Sequence, residues 1–462
     1  MTTKGMGDRW STADGRLGGH AHFSLAFRTM RRHDQADVPV IIIGNGPAGL
    51  SLSAFLSGIL PYYNPATPHP DPLLHEKLLG NLGQSLIDQD LDWCYSSDSV
   101  GGSTRPLSVL YDSLVRPGAD LGAQISSRLT WQTDETKYIP HLVLGETPVG
   151  GSWNNYDPEM LAVSFSSWLD LPGFSISEWL QGTPLVPRLP SVAIVEYMKS
   201  YVKEMGLSKN IISHTKVTSV KKTGELWTVS GKRKDGLGFS FTAKHVVLAC
   251  GKMKSRKIEL PTHNPSLPIV YDIVALRSRL AKDSIGTNAN DARVVVIGDG
   301  ISSADAVRVC LEHEIPVLHV MRRTERQLRN SVLSRLSPLH YGEYHSIYRL
   351  MIGRDTHPLY EMSYASSVID VDQKSVVTIT TPKEDRYEKC SMLMVCIGRV
   401  SDLEGILAEK YTFTGYQSDE DPTLFCVGSL AGDHFVRYVV GGSLEVARSL
   451  NEYYKDKNNN DT

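Results

Sequence analysis

The stretch "VIIIGNGPAGLSLSAFL", beginning at Val40, constrains the fold more than any other: an aliphatic strand, a glycine turn, then a helix of small residues. In Gly44-Asn45-Gly46-Pro47-Ala48-Gly49 the first glycine permits a tight turn and the second lets a pyrophosphate approach the backbone. The third lets helix and strand pack closely, and the helix N-terminus offers N–H groups and a positive dipole to an anion. The same grammar recurs at "VVVIGDGISSADA", Val294 to Ala306, where Gly298, Gly300, Ser302 and Ser303 would cradle a second pyrophosphate. Two such units far apart predict an α/β protein with two dinucleotide-binding, Rossmann-like domains built on parallel sheets.

At 462 residues the chain exceeds the size at which one core usually stops growing, so more than one domain is expected. A net charge of −3 with 21% charged residues gives no basic surplus, which argues against nucleic acid or an anionic membrane as the main partner. Six cysteines without CxxC spacing argue against a disulfide framework or a zinc site and favour a reducing, cytoplasmic home. The histidines show no metal-ligand spacing, so no metal is expected. Apolar runs are strand-sized, well short of the roughly 18 to 20 residues of a membrane span. Residues 1–35 read as a mobile leader, whose Asp8, Asp14 and Asp34 count against a transit peptide, and residues 455–462 as a disordered polar tail.

Between Gly58 and Lys137 prolines and glycines break the pattern, so residues 61–136 are expected to form an insertion or cap with short helices such as Leu82 to Gln89. The acid that should hold a ribose, about 20 residues past the first turn, is not found there. It is sought instead in "HLVLGETPVGGSW": His141 to Leu144 a strand, Glu146 the acid, and Gly150-Gly151 a close-approach turn before Ser152 and Trp153. A solvated turn carboxylate is the alternative reading of Glu146. From Ile211 alternating residues predict an antiparallel β-meander leading into the buried strand Val246 to Cys250. In the second unit "PVLHVMRR" ends in Arg322-Arg323 where an NAD site would want an acid, which favours the 2′-phosphate of NADPH over solvated arginines.

The GxGPAG start, the strand-acid-GG-x-W segment, the meander ending in "LACG" and the turn "GDGISSAD" resemble, in that order, the flavin-containing monooxygenases and their N-hydroxylating relatives. At finer grain "HPDPLLHEKL", "HLVLGETPVGGSW" and "SWLDLPG" resemble the oxidative-stress-induced growth inhibitor family, and the resemblance covers nearly all of the chain after Val38. It implies a two-domain flavoprotein: residues 36–260 and 391–454 holding FAD, residues 261–390 holding NADPH. Gly44, Gly46, Gly49, Glu146, Gly151 and Trp153 match the FAD positions, with Asn45, Pro47, Ala48, Gly150 and Ser152 in the same turns. Val217 matches the strand that meets the adenine and Gly251 the turn closing the meander. In "PTLFCVGSLAGD" the usual Gly-Asp pair reads Gly428-Ser429, and Asp433 is the substitute acid.

The implied activity is oxygenation of a small nucleophilic substrate by O2 through a flavin C4a-hydroperoxide. Departures accompany it: the fingerprint FxGxxxHxxx(Y/F) is absent, with His263 and Tyr271 at other spacings. The segment "MLAVSFSSWLDLPG" has no asparagine; Ser164, Ser166 and Ser167 offer a hydroxyl to the reaction or are helix surface. Trp153, Trp168 and Trp179 are read either as flavin-pocket wall or as core. The resemblance also leaves a second reading, a regulatory protein of this fold that acts on growth, stress response and cell division through protein partners.

Overall fold

The structure, a computed structural model, describes residues 36–96, 105–122, 125–252, 254–261, 264–282 and 293–460. The expected leader of residues 1–35 and His263 lie outside the described residues. Strand β1 (Val38–Ile43) sits at the centre of a nine-stranded sheet, flanked in parallel by His141–Leu144 on one side and Gly238–Leu248 on the other. Val40, Ile41 and Ile42 are wholly buried, which is why the sequence there is a continuous aliphatic run and not an alternating one. Helix α1 (Pro47–Leu56) starts on a proline at its first position and is buried almost all round.

The meander is present as Thr215–Thr223, Leu226–Arg233 and Gly238–Leu248. Its last strand does two jobs along its length: residues 238–243 pair in the meander and residues 243–248 pair with β1. A second, seven-stranded sheet repeats this plan between Ile269 and Val395, where Asp385–Val395 pairs first with Val376–Thr380 and then with Arg293–Ile297. The sequence reading missed this second meander. The chain then returns to the first sheet, adding Leu424–Cys426 in parallel beside Val246–Leu248.

Residues 61–136 are closed at their base by an antiparallel ribbon, Ile59–Tyr63 on Leu129–Thr133. Among the described residues their α-helices are Pro72–Leu79 and Pro106–Val115, not the expected Leu82 to Gln89, which is a run of turns. There the Gln89 amide donates to the carbonyls of Asn81 (3.3 Å) and Gln84 (2.8 Å), so local turn closure displaces the helix. The final helix, Val436–Asn460, packs on both α1 and Pro106–Val115 and runs past the expected tail start. Lys455 is anchored there by an ion pair with Asp88, to which the Asn451 amide also donates (3.2 Å).

A buried charge network ties these helices together. Arg437 donates to Asp112 (Nε, 3.0 Å) and Asp120 (2.8 Å), while Arg116 pairs with Asp112 (3.2 Å). Arg116 also donates to the Ser167 (2.9 Å) and Asp170 (3.2 Å) carbonyls, and Arg437 stacks 4.6 Å from the Trp168 ring centroid. The two sheets' units are joined by Arg188, which donates to the Ala162 (2.6 Å) and His340 (2.9 Å) carbonyls, pairs with Glu343 (2.5 Å) and stacks on Tyr341.

Candidate functional site

Where the C-terminal ends of β1 and its parallel neighbours open, a cleft of about 920 Å³ runs past the first glycine turn. Ligands of open α/β sheets bind at such strand ends. Gly44, at φ +121°, has no room for a side chain: a Cβ would lie 2.4 Å from the Ala249 carbonyl oxygen. A Cβ on Gly49 would strike the Gly44 carbonyl oxygen at 1.9 Å, so this glycine sets the helix against the turn and lies behind the cleft. Gly46 differs, since its Cβ would stand at an ordinary 3.7 Å from the Cα of Gly151, which lines the cleft with it.

The turn is braced by Asn45, whose side chain is buried. Its amide donates to the Thr147 carbonyl (2.8 Å), the Thr147 hydroxyl donates back (3.3 Å), and the Gly150 N–H donates to the Asn45 carbonyl (3.1 Å). Asn45 is thus a structural clamp between the first turn and the acid-glycine segment. Gly150 belongs to that clamp, not to the cleft wall. Gly151, Ser152 and Trp153 do line the cleft, together with Pro47, Ala48, Glu146 and Val217. Glu146 is exposed and paired with Lys216 (2.7 Å) on the meander strand.

Gly251, Gly428 and Asp433 line the cleft as well, Gly428 lying against Ala48 of the first turn. Ser429, where the resemblance wants an acid, accepts the Lys252 backbone N–H with its hydroxyl (3.1 Å), fastening the meander's exit to the returning strand. Asp433 is buried with both carboxylate oxygens engaged, one by Arg105 of the insertion and one by the Tyr416 hydroxyl (3.0 Å). Burial pushes its pKa up to about 6, against the pull of Arg105. The neighbouring His434 is held below its usual range by burial, then by Lys252 and Arg105.

Ser164 and Ser166 do not reach the cleft. Both are buried, in the segment that Arg116 grips through the Ser167 carbonyl, so the insertion claims it. Trp168 lies under Arg437 and Trp179 donates to Ser200 (3.1 Å) against Tyr197; both are half-buried, and Trp153 alone of the three lines the cleft. Sequence reasoning passed over Asn155, Tyr156, Lys252, Arg399 and His434, which line it as well. The Asn-Asn-Tyr following Trp153 was the available signal for the first two.

The second turn has the same build. Gly298 stands at φ +129°, where a Cβ would lie 2.3 Å from the Cys396 carbonyl oxygen, and Gly300 opens the helix Ile301–Glu312 onto free space. Ser302 is exposed beside it, whereas the Ser303 hydroxyl turns inward and donates to the Gly300 carbonyl (2.7 Å). Arg323 pairs with Asp299 of the turn itself (3.1 Å), and Arg322 is exposed with no carboxylate partner among the described residues.

His319 holds this turn from below: Nε2 must donate to the Gly298 carbonyl (2.7 Å), leaving Nδ1 to accept from the Tyr360 hydroxyl (2.9 Å). Burial lowers its pKa from 6.5 to about 4. A histidine depressed on folding contributes stability that is complete above its unfolded pKa and is lost as pH falls toward the folded one. The stability advantage of the wild type over His319→Gln should therefore shrink by about 3 kcal/mol between pH 6.5 and 4, read by urea titration at each pH. A constant difference would mean that His319 is not buried as the neutral ring.

Cys250 lies on the cleft wall, and burial pushes its thiol up to about 11; none of the other five cysteines lines the cleft. Among the described residues no group of His, Cys, Asp and Glu could hold a metal, and no helix is long and apolar enough to cross a membrane.

Two glycine turns at the ends of the parallel strands of two mixed sheets, each sheet with its antiparallel meander, define a two-domain flavoprotein oxidoreductase fold. Residues 131–424 match the pyridine nucleotide-disulphide oxidoreductase family. Among solved structures the chain is similar to a bacillithiol disulfide reductase from Bacillus cereus (TM-score 0.58, 16% identity, covering 90% of this chain and 99% of that one). It is also similar to a flavin monooxygenase from Stenotrophomonas maltophilia (TM-score 0.52, 14% identity, covering 90% and 98%). Its sequence is 50% identical over 428 residues to the oxidative stress induced growth inhibitor homolog of Caenorhabditis elegans, covering 90% of this chain and 94% of the relative. The chain belongs to the oxidative stress-induced growth inhibitor family.

Proposed function

We propose that this protein is an FAD- and NADPH-dependent monooxygenase acting on a small nucleophilic substrate. The observation that carries this reading is one cleft of about 920 Å³ that gathers the first glycine turn, Glu146, Val217, Gly251 and Gly428 from five separate stretches of sequence. The residues fit an FAD: Gly46 and the N-terminus of α1 face the cleft as bare backbone for a pyrophosphate, Glu146 stands at its rim for a ribose, and Trp153 offers an aromatic wall. Bound flavin would supply the hydride acceptor and the oxygen chemistry. The chain's own part is to bind, orient and exclude water, which accounts for a site without a nucleophile-base pair.

Oxygen is favoured over a disulfide as acceptor because a dithiol route needs two cysteines at the flavin, and the cleft wall carries Cys250 alone, with its thiol proton held firmly. The test is the visible spectrum of purified protein, mixed with NADPH anaerobically and then with oxygen. A flavin band that bleaches and returns supports the reading; protein that neither holds nor takes up FAD overturns it.

The nucleotide preference divides between the two arginines. Arg322→Ala should weaken NADPH binding roughly tenfold to a hundredfold and leave NADH nearly unchanged, as expected for loss of a charge-assisted contact to a 2′-phosphate. Arg323→Ala should weaken both nucleotides, because Asp299 is left uncompensated beside the pyrophosphate turn. Equal losses for both nucleotides in Arg322→Ala would remove the 2′-phosphate assignment.

A further inference from the structure

The charges lining the cleft do not cancel. Glu146 is answered by Lys216 (2.7 Å), Asp402 by Lys254 (3.0 Å), and Asp433 by Arg105. Two lining cations remain, Lys252 and Arg399, and neither has a carboxylate partner among the described residues. Arg399 lies over the Tyr156 ring, 5.8 Å from its centroid, and Tyr156 packs edge-on against Trp153. Lys252 stands beside His434, whose depressed protonation leaves it a neutral hydrogen-bonding group and not a third cation.

Both cations sit on the crossovers between the two sheets' units. The outgoing crossover strand, Lys254–Ser255, pairs antiparallel with the returning one, Arg399–Val400, in the register Arg399 to Ser255. Lys252 precedes Ser255, the partner of Arg399, by three residues, so chain length alone keeps its backbone within about 11 Å of that pair, a span that two long side chains can close onto one small group. These two strands carry the chain out of the first sheet's unit and back into it, and Lys254 and Arg399 on them border the cleft of the first turn.

We propose that this border of the cleft is a subsite for a small carboxylate-bearing substrate, bound through its carboxylate by Lys252 and Arg399. The assignment rests on the flavin-dependent reading above and deepens it by naming the substrate's charge. Arg399 presents a planar fork matched to two carboxylate oxygens and Lys252 a point charge, so together they select a planar monoanion over a neutral or cationic analogue of the same shape.

The test uses the flavin-loaded protein, titrated with sodium benzoate, benzamide and benzylamine while the flavin absorption band is followed. Benzoate should perturb the band saturably, weaken as salt is raised, and leave benzamide and benzylamine without comparable effect. Lys252→Met and Arg399→Gln should each weaken benzoate roughly tenfold to a hundredfold with flavin content unchanged. Lys234→Met, which removes an exposed lysine that does not line the cleft, should leave it within about threefold. Benzamide binding as well as benzoate would overturn the proposal. So would variants that lose flavin yet bind benzoate normally in the fraction that keeps it, since the two cations would then serve the cofactor's phosphates. Protein that takes up no flavin at all speaks against the flavin reading; calorimetric titration with benzoate then reads the pair directly, and absence of binding overturns the anion subsite too.

Discussion

Gly46→Asp should empty the cleft of flavin while leaving the protein folded. A Cβ at this position meets Gly151 Cα at 3.7 Å and the Gly150 carbonyl oxygen at 3.9 Å, ordinary contact distances, so the backbone has no reason to move. The added carboxylate, however, points into the space proposed for the pyrophosphate. Two like unit charges about 4 Å apart at an effective dielectric near 20 repel by about 4 kcal/mol, or roughly a thousandfold in affinity. Gly49→Ala is the instructive contrast: its Cβ would meet the Gly44 carbonyl oxygen at 1.9 Å, so it should lose fold and flavin together. Flavin absorbance per protein after desalting, beside circular dichroism, separates the two cases. Stoichiometric flavin in Gly46→Asp would refute the assignment of this turn. The same variant also weighs the regulatory reading, because growth restraint that survives in a stable, flavin-free protein cannot depend on turnover.

Asp112→Ala should be the most damaging single change outside the cleft. Its carboxylate sits between Arg437 and Arg116, and the three side chains are 5%, 4% and 6% exposed. Removing it leaves two buried guanidinium groups short of their shared counter-charge, and breaking a buried pair from one side costs about 3 to 5 kcal/mol. The midpoint of denaturant unfolding should fall accordingly, and trypsin should cut the stretch 61–136 sooner. A loss under about 1 kcal/mol would show that the network is not what fastens the insertion. Because Arg437 lies in the first turn of the helix that covers α1, this network bolts the stretch around Pro106–Val115 to the core.

The sequence made the glycine turns legible because their requirement is local: Gly44 and Gly298 stand at positive φ whatever surrounds them, and an aliphatic strand precedes each. The first meander was legible through its turns. The second was hidden because "DRYEKC" reads as a polar loop, although it opens a strand whose alternate residues are exposed. Ser164 and Ser166 misled for a different reason, since their environment is set by Arg116 from another part of the chain. Lys252 and Arg399 carry no motif; only the pairing of two crossover strands brings them to one wall.

That pairing order has a consequence for how the chain is made. Every strand of the second sheet lies between Ile269 and Val395, whereas the first sheet waits for Leu424–Cys426, and α1 stays bare until Val436–Asn460 arrives. During synthesis from the N-terminus the interior unit has all its pairing partners first, and the unit that began earliest closes last. Until Leu424–Cys426 and Val436–Asn460 have left the ribosome, the nascent chain carries an unfinished sheet edge beside Gly238–Leu248 and an uncovered apolar helix, which makes this the stretch of its life when a chaperone has most to hold.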